Sequence, residues 1–345
     1  MIGKLLSYVD GAINEKKGFP FPQIHKAIKG LRYLESMINE SDNIALSRFY
    51  LKIRNGERRL TERPLILVTI DEAVLWTYEW IKSFPCRYDL IVGIPRAGLL
   101  IGSVIASKLG VPLSTPDSFS VGIYWSGSRG KTMQNKTFSE ILIVDDSVDT
   151  GTQIKRAYET IRRCAPDARI TRACLMLVSN RSSGGFERHL VDMYFKVVLR
   201  PLLLEWEIPD NRQGTTGVDL DGVICEECPL RTDTNERRYL NWLRNAKPYL
   251  IPNYEIDFIV SNRLEKYRPE TEEWLRKNGV RYRKLLLWNL ESKEERQGRY
   301  AENKIEILTV IKPDLFIESE DSQAKAIWTA TKIPTICTDK MILYS

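Results

Sequence analysis

The stretch ILIVDDSVDTGTQIKRAYETI, residues 141–161, decides the fold of the first half of the chain. Its first four residues, Ile141 to Val144, form an uninterrupted apolar strand that delivers two adjacent carboxylates, Asp145 and Asp146. A short loop, Asp149-Thr150-Gly151-Thr152, then turns directly into a helix. Ile154, Ala157, Tyr158 and Ile161 follow the spacing i, i+3, i+4, i+7, which is one amphipathic face. Free N–H groups at the helix start, the hydroxyls of Thr150 and Thr152 and the permissive Gly151 make a cradle for phosphate. Two carboxylates beside such a cradle suit sugar hydroxyls, held directly or through Mg²⁺.

The same texture extends to both sides. Upstream lie RPLILVTI (63–70), DEAVLWTYEWIKSF (71–84), the strand DLIVGI (89–94) and the helix GLLIGSVIASKLG (98–110); downstream is the strand ACLMLV (173–178). Strand and helix in alternation predict an α/β fold with a parallel, doubly wound sheet. Periodicity lapses at EIPDNRQGTT (207–216), and a second α/β series follows. It comprises TTGVDLDGVI, the strand DFIVS, the helix PETEEWLRKNG, the strand KLLLW, the helix NKIEILTVI, the strand DLFIES, the helix QAKAIWTAT and the strand PTIC. The expected organisation is a helical N-terminal extension over 1–60, a first Rossmann-like domain over 61–208, a linker over 209–216 and a second over 217–345. No internal repeat or low-complexity tract interrupts it.

Composition agrees with two globular domains. A chain of 345 residues exceeds one ordinary core, and 43% hydrophobic with 28% charged residues excludes disordered, collagen-like and disulfide-scaffold classes. Six cysteines in so long a chain read as thiols in a reducing cytoplasm. The N-terminus lacks the apolar run of a signal peptide, and no stretch approaches the roughly 18 apolar residues that would span a bilayer. The net charge of +6 lies entirely in residues 1–210, with 29 Lys and Arg against 23 Asp and Glu, whereas 211–345 hold 22 of each. Basic runs such as RYRK (281–284) are not interleaved with stacking aromatics, so the excess points to a small polyanion and not to nucleic acid.

VDDSVDTGT resembles the phosphoribosyl-diphosphate (PRPP) signature of type I phosphoribosyltransferases. The resemblance implies that Asp145 and Asp146 bind ribose hydroxyls and that Asp149, Thr150, Gly151 and Thr152 hold the 5′-phosphate. It also implies that Asp149 serves as the base toward a purine. Ile94-Pro95-Arg96-Ala97-Gly98, passing from strand to helix, is similar to the family's pyrophosphate loop, which makes Pro95, Arg96, Ala97 and Gly98 PRPP-binding residues. The polar stretch 120–140, with Arg129, Lys131 and Lys136, looks like its mobile hood. For the base, Arg181 stands where a lysine is usual, and Trp206 lies in a segment, DMYFKVVLRPLLLEWE, that reads equally well as an edge strand with core leucines.

The second series opens on Asp219 and Asp221, two residues apart at a strand end and so on the same side. They are placed as nucleophile and as acid then base. Asp-x-Asp-Gly-Val resembles motif I of haloacid dehalogenase (HAD) superfamily phosphatases. Ser261 and Asn262 match the phosphoryl-binding motif, Lys304 the charge-neutralising lysine, and Glu318 the late acid. The resemblance implies Mg²⁺ on Asp219, Asp221 and Glu318, with Glu320 or Asp321 completing the shell; Asp321 is the expected ligand. Cys225 and Cys228 form one Cys-x-x-Cys with no second pair, and His25 and His189 are isolated surface or packing residues.

These readings predict a cytoplasmic bifunctional enzyme. PRPP-dependent transfer to a purine-like base would release pyrophosphate, and Mg²⁺-dependent phosphomonoester hydrolysis would strip the resulting ribotide. Its expected partners are small molecules: PRPP, a nucleobase-like acceptor and a phosphomonoester. Neither nucleic acid nor membrane is expected, and a homo-oligomer is left open. The alternatives are a regulator sensing PRPP or a nucleotide, and a phosphatase acting on an unrelated sugar phosphate.

Overall fold

The computed structural model describes residues 64–127, 137–179, 191–210, 214–229, 235–290 and 298–345. The expected helices over 1–60 lie outside the described residues, as do His25, Arg129, Lys131, Lys136, Arg181 and His189.

The first series runs β1 (Ile66–Val68), α1 (Ile70–Ile81), β2 (Leu90–Gly93), α2 (Ala97–Leu109), β3 (Leu113–Ser114), α3 (Pro116–Ser120), β4 (Glu140–Val148), α4 (Thr152–Cys164), β5 (Arg169–Ser179), β6 (Met193–Leu199) and β7 (Leu202–Leu204). Strands β3-β2-β4-β5-β6 form one sheet, parallel throughout. The runs Leu90–Val92, Ile141–Val144 and Ala173–Val178 of its central strands are apolar because helices cover both faces. Leu142 and Val144 point into a core with Ala73 and Trp80 of α1 and Ile101 and Ile105 of α2, whereas Ile141 and Ile143 pack against Ile154, Ala157 and Ile161 of α4. Helix α1 starts where a capping box forms between Thr69 and Glu72, which satisfies two otherwise orphaned N–H groups. Strand β4 runs past the acid pair to Val148, since β5 remains hydrogen-bonded alongside it that far.

The second series runs β8 (Thr216–Val218), α5 (Glu236–Asn245), β9 (Ile256–Leu264), α6 (Arg268–Lys277), β10 (Tyr282–Trp288), α7 (Tyr300–Ile311), β11 (Leu315–Glu318), α8 (Asp321–Thr331), β12 (Thr335–Cys337) and β13 (Ile342–Tyr344). Its sheet has the order β10-β9-β8-β11-β12-β13, and only the edge strand β13 is antiparallel. Two of its elements were not anticipated. Helix α5 buries Tyr239, Trp242 and Leu243, an i, i+3, i+4 pattern hidden in the charged run ERRYLNWLRN; β13 is a three-residue edge, too short for a periodic signal. In both sheets the strand order reverses once, between β2 and β4 and between β8 and β11. Ligand crevices open at such reversals, beyond the carboxyl ends of the strands.

A two-stranded parallel ladder, β1 with β7, stands apart from both sheets. Leu202 and Leu204 enter the core of the first series, whereas Leu203 enters that of the second, where Leu65 and Leu67 also pack. The period-two alternation of a strand therefore splits one short ladder between two cores. Truncation of Leu203 to Ala should cost about 2–5 kcal/mol, as for other fully buried leucines. Denaturant unfolding would register it as a lowered midpoint, while Leu75→Ala on the exposed side of α1 should leave the midpoint within experimental error.

Candidate functional site

At the carboxyl end of β4, Asp145 and Asp146 sit side by side. Helix α2 reaches them closely: a Cβ on Gly98 would lie 2.7 Å from the Val144 carbonyl oxygen and 2.8 Å from Oδ1 of Asp145, so only glycine fits. Burial first, and the neighbouring Asp146 second, push the Asp145 carboxyl up to about 8. Asp146 is also raised, chiefly by burial, against the hydrogen bond it accepts from Nε1 of Trp206 at 3.1 Å. Gly151 takes the left-handed conformation (φ 72°) that starts α4, and no side chain caps that helix end. Its first-turn amides face the loop, and the hydroxyls of Thr150 and Thr152 lie 3.1 Å apart there.

The structure therefore brings Asp145, Asp146, Thr150, Gly151 and Thr152 to one strand end. Pro95, Arg96, Ala97 and Gly98 form the turn into α2 on the adjacent strand, with a cis peptide between Pro95 and Arg96. Two expected roles look different in place. Asp149 forms an ion pair with Arg200 at 2.8 Å, and Trp206 addresses the acid pair while packing partly against the first core. Asp210 pairs with Arg96 and also accepts a hydrogen bond from Asn253. Sequence reasoning missed Arg200 and Asp210 because nothing local marks a charge whose partner lies 51 or 114 residues away.

The sequence profile of the phosphoribosyl transferase domain family matches residues 58–207. Those residues are a phosphoribosyl transferase domain. Solved structures similar to the chain include the Helicobacter pylori xanthine-guanine-hypoxanthine phosphoribosyltransferase, at 14% identity over 42% of this chain and 95% of that one (TM-score 0.32). A purine phosphoribosyltransferase from Pyrococcus horikoshii matches at 20% identity over 43% and 99% (TM-score 0.31). No curated protein matches the chain. Within the transferase domain, DMYFKVVLRPLLLEWE supplies the edge strand β6 and the core strand β7, the plainer of its two readings.

A second cluster occupies the reversal between β8 and β11. Lys304 of α7, 1% exposed, donates from Nζ to Oδ2 of Asp219 and to Oε2 of Glu318, both at 2.7 Å. Burial pulls the Lys304 ammonium down, but the two carboxylates outweigh it and hold the group above its ordinary range. Arg263, fully buried at the end of β9, grips Asp221 through Nε at 3.0 Å and Nη2 at 2.5 Å, and stacks over Trp242. Asn262 accepts from Asn303 at 3.0 Å, whereas the buried Ser261 hydroxyl accepts from the Arg263 amide. Above them opens a cavity of about 710 Å³, bounded by Asp219, Asp221, Glu227, Asn262, Lys304 and Glu320.

The carboxylates expected to hold Mg²⁺ are not arranged around one ion. Oδ1 of Asp219 accepts from the Leu220 amide, and Oε1 of Glu318 from the amides of Ser319 and Glu320. Lys304 takes the remaining oxygen of each, Arg263 takes Asp221, and Asp321 turns to Lys340 and Tyr344. Among the described residues, no three His, Cys, Asp or Glu side chains converge to ligate a metal, Cys225 and Cys228 included. As arranged, this donor set does not fit Mg²⁺, which needs several free oxygens in an octahedron. Asp321 in particular is displaced by a physical cause: it begins α8, where Lys340 and Tyr344 are in reach, and Glu320 faces the cavity instead.

Two predictions follow from the buried charges. Asp145 has a folded pKa above its unfolded value of about 3.9, so it weakens the fold progressively as pH rises from about 4 to about 8. Asp145→Asn should raise the thermal midpoint at pH 8 and leave it nearly unchanged at pH 4. Lys304→Met would strand two buried carboxylates and should cost about 3–5 kcal/mol at neutral pH. The loss should shrink as pH falls and Asp219, whose carboxyl burial already pushes up, takes up a proton, which denaturation at two pH values would detect.

Proposed function

We propose that the chain is a bifunctional enzyme, a PRPP-dependent transferase joined to a phosphomonoesterase. The observation that carries the first activity is the acid pair beside an uncapped helix start, within a matched phosphoribosyl transferase domain. In this reading Asp145 and Asp146 hold the ribose hydroxyls, and Thr150, Gly151, Thr152 and the α4 amides hold the 5′-phosphate. The turn from Pro95 to Gly98 takes the pyrophosphate, with Arg96 released from Asp210. Asp149 accepts the proton of a purine-like acceptor nitrogen, oriented by Arg200. Arg181 and Trp206 remain candidates for the acceptor pocket.

The second activity rests on the HAD-like order of Asp219, Ser261, Asn262, Lys304 and Glu318 and on the cavity above them. Asp219 is the nucleophile toward a phosphomonoester, Lys304 offsets the charge of nucleophile and phosphoryl group, and Asn262 takes a phosphoryl oxygen. The order of the two activities in one chain supports their coupling: removal of the ribotide's 5′-phosphate makes a reversible transfer run forward. Incubation with PRPP, Mg²⁺ and a panel of bases should yield nucleoside, identified by mass spectrometry. Asp219→Asn should convert the product to nucleotide, and Asp149→Asn should abolish both. Nucleotide accumulating in the parent protein would refute the coupling, and no consumption of PRPP with retained binding would favour a sensor.

A further inference from the structure

The turn read as the pyrophosphate site has a neighbour from outside the transferase domain. The family match ends at residue 207, and three residues later Asp210 reaches back to the guanidinium of Arg96. Arg96 is exposed on the turn that opens α2, and among the described residues Asp210 is its one charged partner.

Asp210 is anchored where Arg96 is not, and what anchors it belongs to the second α/β series. Ile208, two residues before it, is buried in the second core with Leu203. The Asn253 amide donates to the Pro209 carbonyl at 2.7 Å, and the Asp210 amide to the Glu207 carbonyl at 2.9 Å. Nδ2 of Asn253 then donates to Oδ1 of Asp210, which leaves Oδ2 on Arg96. Asn253 is itself held, because Arg281 donates to its carbonyl. The contrast decides which partner moves. A side chain 80% exposed can swing from the pair to a ligand, whereas a carboxylate tethered to buried chain stays in place.

We infer that Asp210 is a built-in competitor for Arg96. The second half of the chain holds its carboxylate at the pyrophosphate turn, so a diphosphate must take the guanidinium from it and then bind beside its charge. This role rests on the reading of Pro95–Gly98 as the pyrophosphate turn, and it makes that turn answer to residues beyond the transferase domain.

Two effects act together on the ligand. Arg96 gives up its ion pair, and the fixed acid repels a group that carries several negative charges. Each effect is small at an exposed position, and together they should weaken diphosphate binding about three- to tenfold. PRPP also has the acid pair and the α4 loop to hold its ribose and 5′-phosphate. Free pyrophosphate depends on the turn alone, so the opposition falls on a ligand with nothing else to retain it. Asp210 therefore favours the departure of pyrophosphate after transfer, and returns to Arg96 when it has gone.

Calorimetric titration of the full chain with inorganic pyrophosphate measures the competition. Asp210→Asn removes the charge yet keeps an oxygen for Asn253. It should tighten pyrophosphate about three- to tenfold at low salt, and the gain should shrink as ionic strength rises. Ribose 5-phosphate, a ligand for the acid pair and the α4 loop, should bind parent and variant alike. Asn253→Ala, which loosens the acid, should give a smaller gain of the same sign. In an Arg96→Ala background the gain from Asp210→Asn should also be smaller than in the parent.

Pyrophosphate bound equally by the parent and by Asp210→Asn would overturn the inference and leave the transferase reading standing. Weaker binding in Asp210→Asn, the mark of an acid that helps to hold the ligand, would do the same. So would an equal gain for ribose 5-phosphate, or an undiminished gain in the Arg96→Ala background. A parent chain that binds neither ligand, though folded by circular dichroism, would overturn the reading and the inference together.

Discussion

The ladder of β1 with β7 is the constraint on which the rest of the described structure depends. Three residues of β7 divide between two cores, Leu202 and Leu204 into one and Leu203 into the other, so neither sheet can form its core fully without this ladder in place. A strand has no choice in the matter: successive side chains leave on opposite faces. The boundary expected at a linker over 209–216 is thus preceded, only a few residues upstream, by buried leucine. The fastening at the ladder is hydrophobic.

From Arg200 to Asp210, one segment meets the first strand-end cluster and its neighbouring turn repeatedly. Arg200 pairs with Asp149, Trp206 donates to Asp146, and Asp210 pairs with Arg96. Each is a modest contact. The ion pairs are partly or largely exposed, and exposed pairs contribute about 0–1 kcal/mol. The Arg96–Asp210 pair, exposed on the arginine side, costs little to open. Asp210 also accepts from Asn253 in the second half, so the segment that touches the first site ends in contact with the other sheet.

The two strand-end clusters solve the burial of carboxylates in opposite ways. In the second, cations neutralise the acids: Lys304 serves Asp219 and Glu318, and Arg263 serves Asp221. In the first, Asp145 and Asp146 adjoin with no cation between them among the described residues, and Asp145 rises to about 8. A site that keeps an acid pair at the expense of stability is one whose groups are shaped for a ligand. Removing a single member of the second cluster instead leaves a buried charge uncovered, and stability suffers directly.

Much of this was legible in residues 141–161 and 215–224, because parallel strands buried on both faces read as unbroken apolar runs and their carboxyl ends collect the polar chemistry. Asp145, Asp146, Asp219 and Glu318 declared themselves by standing at the ends of such runs, and Thr150 and Gly151 by the short loop between the acid pair and an amphipathic helix. Helix α5 escaped because its three buried residues sit among charges, and β13 because three residues carry no period. The sequence by itself determined two α/β series and the acids at their strand ends, since those depend on local pattern. Only the tertiary structure decided that Arg263 clamps Asp221, that Lys304 bridges Asp219 and Glu318, and that Arg200, Trp206 and Asp210 meet Asp149, Asp146 and Arg96. Each of those pairings joins charges or polar groups from distant strands and helices, and packing alone sets which of them meet.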